Sequence, residues 1–176
     1  MTSALGINEN NQWYTPAKWI IKVNDVFEGS IDLDPASCKI ANERVMAKNI
    51  FTIENSGLKN DWFGKVFCNP PYSAPDLTNF LKKAIKEFES GHVSEMIILT
   101  NQGTDTRWCQ IISKGLQAYT IGRISFVRPN GFDYGGTSRG QLFSYYGPNK
   151  EKFIKVFTEN NDCWIPNYRH LDLLKL

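Results

Sequence analysis

Apolar positions recur along this chain with helical and strand periods in alternation. Trp19, Ile20, Val23, Val26 and Phe27 share one helical face. Thr15 is a good N-cap and Pro16 a good first helical residue, so that helix is predicted to open there. Ile31 and Leu33 alternate with acids as in a short strand, which Asp34-Pro35 ends. A helix carrying Ile40, Ala41 and Val45 then starts at Ala36 or Ser37. Residues 47–52 read as a short strand or an irregular crossing, and the polar residues 54–60, with Gly57, as a loop. Val66, Phe67 and Cys68 suit a buried strand. The cleanest helix starts at Pro75: Leu77, Phe80, Leu81, Ala84, Ile85 and Phe88 form its apolar face, Lys82, Lys83, Lys86 and Glu87 lie opposite, and Gly91 ends it. A buried strand over 96–99 leads to a helix opened by residues 104–108, capped by Asp105 or Thr104, with Trp108, Ile111 and Ile112 inward. Strands over 118–121, 124–127 and 142–146 follow. A last helix over 149–159 turns Phe153, Val156 and Phe157 inward, and the apolar residues of the tail 163–176 suggest that it docks.

Strands alternating with helices imply an α/β fold. We expect one domain over residues 1–176, with a mostly parallel sheet, an antiparallel pair near the C-terminus and helices on both faces. Residues 1–12 are polar and expected to be flexible.

The pattern breaks most sharply at residues 66–72, Val-Phe-Cys-Asn-Pro-Pro-Tyr. Two prolines remove two backbone donors, so the strand must end at Asn69, whose backbone the following proline holds extended. An amide and an aromatic ring therefore sit on a stiffened turn past the C-terminal end of a strand, the edge where open α/β sheets bind ligands. Strand, acid-bearing turn and helix over 30–45 look like the opening of a nucleotide-type unit, although no Gly-rich fingerprint is present. Residues 128–140 are the most glycine-rich stretch and carry Arg128, Asn130, Phe132, Tyr134 and Arg139. Arginine can contact phosphate or guanine and aromatics can stack on bases, so this reads either as a substrate-facing loop or as a flexible hairpin connection.

The formal net charge of +2 does not indicate nucleic acid, so any basic surface must be local. No apolar run could span a bilayer and the N-terminus lacks an apolar signal core, which leads us to expect a cytoplasmic protein. Cys38, Cys68, Cys109 and Cys163 are scattered and expected to be reduced thiols, and His92 and His170 belong to no cluster. A metal site is not expected.

Asn69-Pro70-Pro71-Tyr72 resembles the Asn-Pro-Pro-Tyr motif of S-adenosylmethionine-dependent amino-methyltransferases. Trp13-Tyr14-Thr15-Pro16, Leu33-Asp34-Pro35-Ala36-Ser37 and Thr104-Asp105-Thr106-Arg107-Trp108 are, in this order around the motif, similar to segments of the phage-type, Dam-like DNA N6-adenine methyltransferases. The resemblance implies a compact, Rossmann-like methyltransferase fold that moves a methyl group from S-adenosylmethionine to N6 of adenine in DNA. The Asn69 side-chain oxygen and the Pro70 carbonyl would accept the two N–H bonds of the target nitrogen. Pro71 would complete the stiffened turn, and Tyr72 would stack on the extruded base. Trp13, Tyr14 and Thr15 would hold the donor's carboxylate, with Asp34, and Asp32 beside it, at its ammonium. Asp61 would meet its adenine or ribose, with Trp62 covering it. Arg107, Arg128 and Arg139 would contact DNA. The sulfonium itself supplies the activating charge, so no metal is required. A phage- or prophage-encoded enzyme marking DNA against restriction is implied. The same motif also serves RNA base amines and protein glutamine amides, and a non-catalytic nucleic-acid-binding module on the same fold is a further alternative.

Overall fold

The computed structural model describes residues 13–127 and 137–166. In chain order the elements are α1 (Ala17–Val26), β1 (Leu33–Asp34), α2 (Lys39–Val45), β2 (Asn49–Ile50), β3 (Gly64–Cys68), α3 (Asp76–Glu89), β4 (Val93–Asn101), α4 (Arg107–Ile111), β5 (Leu116–Thr120), β6 (Gln141–Tyr146), α5 (Lys150–Thr158) and β7 (Cys163–Trp164). The strands form one sheet in the order β2-β1-β3-β4-β6-β5-β7.

Pairing is parallel from β2 through β1 and β3 to β4, and antiparallel from β4 through β6 and β5 to β7. The protein is thus α/β with a mixed sheet. The antiparallel part extends well beyond the terminal pair expected, because β6 turns back directly beside the central strand β4. Alternate residues of the central strands enter two apolar cores, as strand geometry requires. Phe67, Ile97, Leu99, Phe143 and Tyr145 meet Trp19, Val23, Val26, Phe153 and Phe157 from α1 and α5. Val66, Cys68, Met96, Ile98 and Leu142 meet Leu77, Phe80, Leu81 and Cys109 from α3 and α4. Helices therefore cover both faces, and the carboxyl ends of β1, β3 and β4 lie side by side at one edge.

Several local expectations are corrected. The N-cap of α1 is Pro16 and no side chain caps it, because the Thr15 hydroxyl is engaged elsewhere. The cap of α2 is Cys38, whose Sγ accepts from the Ala41 N–H, and Ile40 is exposed. Thr106, not Asp105 or Thr104, caps α4 through the Cys109 N–H. Residues 124–127 form no strand. Only Val127 pairs, in an isolated antiparallel bridge to Tyr14. Glu87 leaves the solvated face of α3: it is buried and binds Lys83 and His92 Nδ1. All four cysteines are free thiols. The tail is docked as far as it is described, through β7 and buried Ile165. Among the described residues no helix is long and apolar enough to cross a membrane.

Candidate active site

Asn69 follows the last residue of β3, and its amide is held in one orientation. Nδ2 donates to the Trp13 carbonyl at 3.2 Å and to Thr15 Oγ1 at 3.3 Å. A carbonyl can only accept, so the NH2 side must face Trp13 and Oδ1 must face away. Oδ1 accepts from the Tyr72 hydroxyl at 2.9 Å, and the same hydroxyl lies 3.4 Å from the Leu99 carbonyl on β4. Desolvation drives the Tyr72 pKa well up, so the phenol remains a proton donor. Pro70 is buried and Pro71 exposed. The turn thus links the carboxyl ends of β3 and β4 to the segment leading into α1.

That segment is itself fixed. Tyr14 is buried and exchanges both backbone hydrogen bonds with Val127, at 2.9 and 3.0 Å. Its phenol lies 3.8 Å from Cys38 Sγ, and burial pushes its pKa up to about 12. The Trp13 ring meets Phe126 edge-on. Thr15 is buried with its hydroxyl on Asn69. The N-terminus of α1, with no side-chain cap, therefore opens beside Asn69 with the positive end of the helix dipole.

Asp34 ends β1 at the same edge. It is 3% exposed, and its Oδ1 accepts from the Ala36 N–H at 3.1 Å. Desolvation raises its pKa from the usual 3.8 to about 6; the Ala36 N–H and the neighbouring Ser37 hydroxyl only partly offset this. The Ser37 hydroxyl lies near enough to Asp34 to lower it, although its Oγ does not meet the geometry of a full hydrogen bond. A carboxylate so buried, without a cation among the described residues, is suited to a cationic ligand. Two buried hydroxyl oxygens without partners, Ser37 Oγ and Thr100 Oγ1, lie at the carboxyl ends of β1 and β4. Unsatisfied buried polar atoms on either side of Asn69 are the kind that a polar ligand completes. The buried Asp34 carboxylate and the N-terminus of α1 thus place opposite charges at the same edge of the sheet.

Other expected residues lie apart from this cluster. Asp32 precedes β1 and is engaged at the amino end of the strands, where Lys48 reaches its Oδ1 at 2.8 Å and the Lys65 N–H its Oδ2 at 2.9 Å. Burial raises its pKa, but these partners outweigh it and the net shift is downward. Gly64, at φ +67°, passes so close that a Cβ would meet Asp32 Oδ2 at 2.6 Å. Asp61 is exposed, three residues before β3 starts and thus at the opposite end from Asn69, with Lys83 Nζ 3.8 Å away. Trp62 cannot cover it, because its ring is fully buried and its indole N–H donates to the Gly57 carbonyl at 2.7 Å. Arg107, at the start of α4, and Arg139 are exposed. Arg128 and the aromatic residues of the expected substrate loop lie outside the described residues.

The ends of that loop are described, and sequence reasoning missed what holds them. Val127 enters it from the bridge to Tyr14. On the return, the Gly140 carbonyl accepts from the Gln102 N–H at 2.8 Å, just beyond β4. Gln102 and Gln141 carried no signal beyond polarity at the edge of a glycine-rich stretch. Ser37 and Thr100 carried none.

A family model described as DNA N-6-adenine-methyltransferase (Dam) matches residues 2–167. Among curated proteins, the DNA N-6-adenine-methyltransferase of Escherichia phage T1 is 34% identical over 95 residues, which cover 52% of this chain and 37% of the relative. The matched stretch is thus well under half of that relative's length. No solved structure matches.

Proposed function

The chain belongs to the DNA N-6-adenine-methyltransferase (Dam) family, and from this we propose that it methylates N6 of adenine in DNA with S-adenosylmethionine as donor. The observation that carries the reading is the orientation of Asn69, whose Nδ2 is spent on Trp13 and Thr15 so that Oδ1 faces outward as an acceptor. The exocyclic nitrogen of adenine is a poor nucleophile because its lone pair is delocalised into the ring. Asn69 Oδ1 and the Pro70 carbonyl accept its two N–H bonds, which favours a pyramidal nitrogen with its lone pair available. Asn69 then holds an N–H that becomes more acidic as the new bond forms, so its contribution grows toward the transition state.

When bound, S-adenosylmethionine supplies a methyl group on a sulfonium, already activated for direct transfer. Asp34 would hold the methionine ammonium, and the N-terminus of α1 with the 13–15 segment would hold the carboxylate, so that these residues would position the donor for transfer. The target base has to leave the duplex, and Tyr72 gives it a stacking surface on the proline-stiffened turn. For this the Tyr72 hydroxyl gives up its bond to Asn69 Oδ1, which the substrate N–H replaces. Arg107, Arg128 and Arg139 contact the DNA backbone or base edges. A compact Rossmann-like fold and a phage- or prophage-borne role in marking DNA against restriction belong to the same proposal.

The test is to incubate the protein with unmethylated DNA and methyl-labelled S-adenosylmethionine, digest the DNA and identify the labelled nucleoside. Label in N6-methyladenine, lost with Asn69→Ala, is expected. Label that appears in RNA or protein substrates but not in DNA overturns the assignment.

A further inference from the structure

Gln141, the first residue of β6, is fully buried, as are its apolar neighbours Leu142 and Phe143. Its side chain is bonded almost wholly outside the sheet. Oε1 accepts from the Ile124 N–H at 2.9 Å. The two N–H bonds of Nε2 are directed at Thr137 Oγ1 and at the Arg139 carbonyl, both at 2.6 Å, with Asn101 Oδ1 a longer third acceptor at 3.4 Å. Thr137 Oγ1 in turn donates to the Arg139 carbonyl at 2.6 Å. Arg123 Nη1 closes a second link between the two stems by donating to the Thr137 carbonyl at 3.0 Å. One buried amide therefore joins the chain before the glycine-rich stretch, at Ile124, to the chain after it, at Thr137 and Arg139. It anchors both to Asn101 at the carboxyl end of β4, two residues beyond the carbonyl that Tyr72 reaches.

A strand start that served only the core would carry an apolar residue, as the next two positions do. Burying a full primary amide is favourable only when every one of its polar atoms has a partner, and here those partners belong to the stems. The backbone of Arg139 is fixed at its carbonyl, while its side chain is exposed and makes no ion pair with a described residue.

We propose that Gln141 is a positioning residue for nucleic acid, holding Arg139 in the direction in which its guanidinium meets DNA at the edge where Asn69 acts. This inference rests on the DNA-methyltransferase reading and extends it to a residue that touches neither DNA nor donor. Gln141→Glu is the sharpest variant. It keeps an oxygen opposite the Ile124 N–H but turns the donor into a second acceptor facing the Arg139 carbonyl, Thr137 Oγ1 and Asn101 Oδ1. Thr137→Val removes one acceptor from the clamp with little change of shape, and Thr137→Ser restores it.

The experiment measures methylation kinetics with DNA varied, the salt dependence of DNA binding, the donor dissociation constant and the melting temperature for the parent and the three variants. The expected pattern is a KM for DNA raised about tenfold in Gln141→Glu and several-fold in Thr137→Val, with a salt slope shallower by about one phosphate contact. Turnover at saturating DNA and donor affinity stay near parental values, and Thr137→Ser behaves like the parent. An unchanged KM and salt slope in folded variants, or a loss of donor affinity and turnover alongside the raised KM, overturns the inference while leaving the function intact. If Gln141→Glu does not fold, Thr137→Val against Thr137→Ser decides. A parent protein that does not methylate DNA in the same assay removes the functional reading, and this inference with it.

Discussion

Asn69 and Tyr72 hold each other: the Tyr72 hydroxyl donates to the Asn69 oxygen that the proposed reaction assigns to the substrate N–H. Replacing Asn69 by Ala removes the acceptor and is expected to lower turnover by about 10²–10³-fold, as loss of one preorganised polar group does elsewhere. Asn69→Asp keeps the shape but turns the Trp13 carbonyl, which can only accept, toward a carboxylate oxygen, while the Thr15 hydroxyl can turn to donate. It is therefore expected to be impaired even though an acceptor remains for the base. Tyr72→Phe keeps the ring and frees Oδ1, and turnover within a few-fold of the parent is expected. Tyr72→Ala loses base stacking worth about 1–3 kcal/mol, read as weaker DNA binding. Single-turnover methylation and donor calorimetry on the four variants check this. Parental turnover in Asn69→Ala would show that the chemistry lies elsewhere.

Among the elements, α1 links the fold to the site through the residue before its cap. Thr15 reads in the sequence as an N-cap, because Thr-Pro ahead of an apolar helical face is how many helices start. What the local pattern does not carry is a competing partner 54 residues away: Asn69 takes the hydroxyl and α1 starts uncapped. The other gaps have the same origin. The bridge between Tyr14 and Val127 joins two irregular segments, and the clamp at Gln141 joins residues that only the sheet order brings together. β1 and β2 have two residues each, too few to show a period. By contrast, α3 and the β3 turn were legible, since an apolar face along a 14-residue helix and a double proline are local facts. The exchange at Thr15 is testable. If the hydroxyl acts through Asn69, Thr15→Val lowers turnover by about two- to tenfold, the worth of a hydrogen bond of about 0.5–1.5 kcal/mol, and Thr15→Ser recovers it. Donor affinity should change less than turnover. The opposite split, measured by donor calorimetry beside single-turnover rates, would put the hydroxyl on the donor instead.

At the scale of the whole molecule, one buried acid couples stability to pH and, under the proposed function, to donor binding. Asp34 moves from 3.8 to about 6 because burial disfavours its charge. Between those values the folded protein holds a proton that the unfolded chain has released, so stability falls as pH rises through this window and is regained as pH falls. A gap of about two pH units corresponds to about 3 kcal/mol. Three carboxylates that are buried or partly buried, Asp32, Glu87 and Asp162, work the other way. Burial raises each of Asp32, Glu87 and Asp162, but Lys48 and the Lys65 N–H at Asp32, Lys83 and His92 at Glu87, and Lys18 and Lys22 at Asp162 bring the net shift downward. Their stabilisation is complete above the ordinary carboxylate range and is lost only as pH falls below it. The free protein is therefore expected to melt several degrees higher near pH 5 than near pH 7, and to lose stability again below about pH 4. Asp34→Asn should flatten the limb between pH 5 and 7 and leave the acid limb in place. An ammonium ligand favours the charged form of Asp34, so donor affinity should rise as pH increases through about 6, approaching tenfold per pH unit below that value, and Asp34→Asn should abolish the slope. Melting curves and donor calorimetry across pH 4–8 measure both effects on the same protein. A donor affinity independent of pH in the parent would mean that Asp34 does not meet the ammonium, even if the stability limb behaves as expected.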